Sequence, residues 1–73
     1  MAHERIEMNP DVMLGKPVIR GTRITVESLL RKLSAGIAPE QIVADHPKIT
    51  VEDIRAAQAF AADYLADDEV VFG

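Results

Sequence analysis

The sequence predicts a mainly α-helical fold in which a short N-terminal β-hairpin precedes a three-helix, helix-turn-helix-like bundle. Two short runs of apolar and charged residues, Arg5 to Met8 and Lys16 to Arg20, lie on either side of the turn formers Asn9-Pro10-Asp11 and Gly15. Beyond Gly21, apolar residues recur at helical spacing behind Thr25, Pro39 and Thr50, residue types that begin helices. Gly36 and Pro47 divide that helical stretch into three, because glycine takes the left-handed stop and the residue before proline leaves the helical region. The expected organisation is a single domain with a ribbon arm over residues 1–24, a helical bundle over 25–67 and a tail over 68–73.

The first strand, Arg5 to Met8, alternates charged and apolar residues. The Asn9-Pro10-Asp11 turn follows, with proline presetting its own φ and the Asn and Asp side chains able to bond nearby backbone. Pro17 lacks an N–H, so the second strand belongs at an edge or begins there. Strand alternation places Lys16, Val18 and Arg20 on one side and Pro17 and Ile19 on the other.

Helix one spans about Val26 to Ala35, capped by the Thr25 hydroxyl, with Val26, Leu29, Leu30 and Leu33 forming its apolar stripe. Helix two starts at Pro39 and ends before Pro47. It is short, and Ala38 cannot cap it, so it depends on packing through Ile42 and Val43. Helix three follows Thr50, with Glu52 and Asp53 favourably placed against its positive end. Its expected buried face is Val51, Ile54, Ala57, Ala61, Tyr64 and Leu65, widened by Phe60. An alanine-rich helix of this kind suits either tight packing within the domain or self-association. Asp67, Asp68 and Glu69 sit at the negative end, where acids are unfavourable, so the helix should fray there.

Bulk composition narrows the function. At 73 residues and 48% hydrophobic content the chain supports one packed core and is not disordered. So small a domain is marginally stable alone. With no cysteine available for disulfides or thiolate metal sites, a second copy is the remaining source of buried area, and a homodimer is expected. No apolar run reaches membrane-spanning length, and the first residues lack a signal-peptide pattern, so no membrane association and a cytoplasmic location are expected. The net charge of −4 is uneven: residues 1–36 carry six cations against four acids, and residues 37–73 carry two against eight. DNA contact therefore belongs to the first half, and the acidic second half suits a basic protein partner.

The residues offer little to catalysis. Ser28 and Ser34 lie inside helix one, only His3 and His46 could serve as bases, and no phosphate loop or metal-ligand spacing occurs. No enzyme activity, cofactor, metal or small-molecule substrate is expected. His46, beside Pro47, reads as a turn residue bonding nearby backbone. The informative segment is Gly15-Lys-Pro-Val-Ile-Arg-Gly-Thr-Arg-Ile24. Lys16, Arg20 and Arg23, with two glycines, could hold phosphate oxygens; equally, the arginines could pair with acids of this chain or of a second subunit. Helices two and three have helix-turn-helix spacing, which would offer Arg55 and Gln58 to a major groove, although Glu52 and Asp53 oppose that use.

The segment Gly-Lys-Pro-Val-Ile-Arg-Gly-Thr-Arg-Ile, the Val-Glu-Ser-Leu-Leu helix, Gly-Ile-Ala-Pro-Glu-Gln-Ile, and His-Pro-Lys-Ile-Thr before a third helix together resemble a bacterial family. It is the domain-of-unknown-function family numbered four hundred and thirty-three, and the likeness runs from about Arg5 to Leu65. Ala38 stands where the pattern more usually has a capping serine or threonine. The resemblance implies a β-hairpin with a three-helix bundle and dimers. It also implies an antitoxin of the VapB type, paired with a PIN-like ribonuclease toxin and bound to operator DNA. In that setting Asp67, Asp68 and Glu69 would meet toxin cations, and Val70, Val71 and Phe72 would be apolar anchors. The alternatives are a DNA-binding regulator without a toxin and a pure protein–protein assembly module.

Overall fold

A computed structural model describes residues 3–66. A two-stranded antiparallel hairpin pairs β1 (Ile6–Glu7) with β2 (Val18–Ile19), with Ile6 opposite Ile19 and Glu7 opposite Val18. Three helices follow: α1 (Val26–Ser34), α2 (Pro39–Asp45) and α3 (Val51–Ala66). Both strands are shorter than the sequence predicts. The expected alternation also fails, because Val18 and Ile19 are both buried. Beyond its two-residue pairing the chain turns back on itself: Val18 bridges Thr25, and Ile19 N–H donates to the Ile24 carbonyl at 2.9 Å. Val18 is thereby covered on the side that strand periodicity assigns to solvent.

Each helix begins and ends for a local reason. The Thr25 hydroxyl accepts from Ser28 N–H at 3.0 Å and starts α1. Gly36, at φ +89°, ends it in a Schellman turn, with Gly36 N–H donating to Leu33 and Ile37 N–H to Lys32. The helix proper stops at Ser34, one residue short of the expected end, and Ala35 is its cap. Pro39 opens α2, where its missing N–H is no loss. His46 caps α2, its N–H reaching the Ile42 and Val43 carbonyls and its own carbonyl accepting from Ile49 N–H. At the start of α3, Thr50 and Asp53 exchange hydrogen bonds. Thr50 N–H donates to Asp53 Oδ2 at 2.9 Å, and Asp53 N–H donates to Thr50 Oγ1 at 3.2 Å.

The hairpin and the helices share one core of Ile6, Ile19, Val26, Leu29, Ile42, Ile49, Ile54 and Ala57. Burying a side chain such as Leu29 or Ile54 contributes about 1.5–3 kcal/mol. Two features depart from expectation. Met13 and Leu14 enter a tight turn at φ +48° and +59°, ahead of Gly15 at +83°, and Leu14 is 93% exposed. Tyr64 and Leu65, expected in the core, are 62% and 64% exposed. They lie in the last turn of α3, where among the described residues no further element covers them.

Candidate functional site

The predicted site cations divide into engaged and free groups. Lys16 Nζ donates to Glu27 Oε1 at 3.3 Å. Arg31 reaches the other oxygen of the same carboxylate through Nε and Nη2, at 3.1 and 3.0 Å. The two cations hold Glu27 below the usual carboxylate range, with the Arg31 hydrogen bonds contributing most and Lys16 next. Arg20 takes neither of its expected roles. Its Nε donates to the Glu4 carbonyl at 2.7 Å and its Nη2 to the Ile6 carbonyl at 3.4 Å, so it staples β1 to the end of β2. Arg5, not singled out by the sequence, donates to the buried Asp53 at 2.8 Å.

Arg23 and Lys48 make no ion pair among the described residues. They line one cleft of about 410 Å³, together with Glu7, Val12, Gly21, Thr22 and Ile24. Sequence reasoning found Arg23 and missed Lys48, which lies 25 positions further on; only the approach of the α2–α3 turn to the β2–α1 connection brings the two together. Lys16 shares a smaller depression, of about 310 Å³, with Arg23 and the 10–14 turn. Arg55 and Gln58 are exposed on α3, apart from that cleft.

A second surface is apolar. Pro17, Val26 and Leu30 form one wall of a groove of about 450 Å³, and Ala61, Tyr64 and Leu65 form the other. Glu27, Arg31 and Ser34 make its polar edge. On another side of α3, His3 Nε2 lies 2.8 Å from Asp63 Oδ2, its ring edge-on to Phe60 at 5.4 Å, and Phe60 stacks on Tyr64 at 5.9 Å. No local pattern in the sequence signals this cluster, since His3 and Asp63 are 60 positions apart.

The serines are engaged in backbone bonds: Ser28 Oγ donates to the Thr25 carbonyl at 2.9 Å and Ser34 Oγ to the Arg31 carbonyl at 2.8 Å. Among the described residues, no three His, Asp or Glu side chains gather as metal ligands, and no helix is long and apolar enough to cross a membrane. The expected partner-binding residues Asp67, Asp68, Glu69, Val70, Val71 and Phe72 lie outside the described residues.

Residues 6–61 match the family model described as a protein of unknown function, DUF433. Over 73 residues the chain is 36% identical to the uncharacterized protein y4eO of Sinorhizobium fredii, covering 99% of this chain and 33% of that protein. It thus spans about a third of that relative's length. Among solved structures, the crystal structure of a DUF433 member from Anabaena variabilis is similar, with a TM-score of 0.79 and 30% identity. That match covers 86% of this chain and 62% of the other.

Proposed function

The chain belongs to the DUF433 family, whose description assigns no function, and from its geometry we propose a non-catalytic binding module that pairs with a second copy of itself. The observation that carries this is the α1–α3 groove, where Tyr64 and Leu65 stand more than 60% exposed beside Leu30 and Pro17. An apolar trough on so small a domain asks for cover. Its rim carries Glu27 and Arg31, opposite in sign and 3.0 Å apart. In a two-fold pair the same patch meets itself, so Arg31 of one copy can face Glu27 of the other. The engaged serine hydroxyls support the non-catalytic part, because neither is poised beside a base.

Sedimentation velocity over a micromolar concentration series tests this. The unaltered chain should shift toward a dimer, while Leu65→Glu should stay monomeric with an unchanged helical spectrum. A variant that still dimerises removes the groove from the interface.

Within this frame the module acts as an antitoxin: the dimer holds a PIN-like ribonuclease toxin and sits on operator DNA. The family resemblance and the acidic second half of the chain support it. The toxin-facing segment would be Asp67–Phe72, so truncation at residue 66 should abolish co-purification with a nuclease encoded next door. Retained co-purification rejects that assignment. A regulator without a toxin is the second reading, favoured by two cations, Arg23 and Lys48, that share one cleft without an ion pair.

A further inference from the structure

We propose that the Arg23–Lys48 cleft is a phosphate-binding site that takes the phosphodiester backbone of a nucleic acid. The proposal rests on the nucleic-acid part of the function proposed above and assigns it to one place. Arg5, Lys16, Arg20 and Arg31 are all held by carboxylates or carbonyls at 2.7–3.4 Å. Arg23, Lys32, Lys48 and Arg55 make no such bond among the described residues, and of these Arg23 and Lys48 line the same depression. In a chain with net charge −4, two cations without acidic partners in one cleft give it a local sign opposite to that of the whole molecule.

Both cations sit on fixed backbone. The Arg23 loop is closed by Thr22 N–H donating to Ile19 O at 2.9 Å, Thr22 Oγ1 donating to the same carbonyl at 2.8 Å, and Ile24 N–H donating to Thr22 Oγ1 at 3.0 Å. Lys48 lies within the turn closed by Ile49 N–H and His46 O, just ahead of the Thr50–Asp53 cap, with Ile49 beside it buried at 1% exposure. Little backbone order remains to be gained on binding, which lowers the entropic cost. In the same cleft Gly21, at φ +81°, already donates its N–H to an anionic oxygen, Glu7 Oε1, over a long 3.4 Å. That carboxylate occupies the position a phosphate oxygen would take, and a phosphate offers several oxygens to the three donors where the carboxylate engages one. Glu7 is therefore an internal competitor, and its charge weakens the site it marks.

The test is a titration of the full chain at low salt, followed by backbone amide shifts, with three probes: a duplex of arbitrary sequence, inorganic phosphate and poly-glutamate. Shifts of Gly21, Thr22, Arg23 and Lys48 with the duplex are expected. Arg23→Ala and Lys48→Ala should each flatten the dependence of log affinity on log salt by about one unit. Glu7→Gln, which keeps an acceptor for Gly21, should tighten binding. Inorganic phosphate shifting the same amides more weakly supports the site, whereas phosphate binding there without duplex binding makes it a free-phosphate pocket and overturns the nucleic-acid assignment. Equal binding of poly-glutamate makes it a site for acidic protein and also overturns it. Duplex binding untouched by both alanine variants rejects this cleft while leaving DNA binding elsewhere intact. No duplex binding rejects the cleft and the DNA reading together, and leaves dimerisation through the α1–α3 groove to stand on its own measurement.

Discussion

The Asp53 carboxylate accepts from Thr50 N–H and from Arg5 Nη1 while only 8% of the residue is exposed. It ties the start of α3 to the chain just before β1. Asp53→Ala should therefore lower stability by about 1–3 kcal/mol, from the lost cap and the loss of a charged hydrogen bond. Arg5→Ala should cost less, because half of its side chain is exposed and screened. Urea denaturation of both variants checks the order. Glu27 gives a second prediction. Its folded pKa is depressed, so its ion pairs contribute above the carboxylate's unfolded value and are lost as pH falls through the folded one. Carboxyl titration by NMR should find Glu27 below an ordinary glutamate, and Arg31→Ala should raise it more than Lys16→Ala does.

At the scale of the element, the α1–Gly36 turn and the Met13–Gly15 turn make opposite predictions. Gly36 has open space where a Cβ would stand, yet its φ of +89° is one that side chains avoid. Gly36→Ala should cost about 1 kcal/mol from backbone strain alone. Leu14 already carries such strain and is almost wholly exposed, so Leu14→Asn should leave stability unchanged or raise it by a few tenths to about 1 kcal/mol. Thermal unfolding of the pair separates strain from packing. The same two turns show what was legible in the sequence. Thr25, Pro39, Thr50 and Gly36 act on neighbours within four residues, so the helices and most of their ends could be read locally. Met13 and Leu14 carry no local mark of a positive φ; the surrounding fold imposes it. Helical periodicity put Tyr64 and Leu65 on the face α3 turns to α1, but it could not show that the groove beside α1 stays open there. Arg23 was visible as a cation of a glycine-rich segment, with ion pairing and phosphate binding both open to it, whereas Lys48 gained its meaning only from a tertiary approach across 25 positions.

For the molecule as a whole, two surfaces remain after the core is accounted for: an apolar groove with a rim of both signs, and a cleft with two free cations. They draw on different residues and different forces. Salt should weaken occupancy of the cleft and spare or strengthen association through the groove, since screening acts on charge and not on apolar burial. Self-pairing through the groove is read out by light scattering of the unaltered chain across the micromolar range, in moderate salt. The molar mass should rise to that of two chains. A mass of one chain throughout the range would contradict self-pairing.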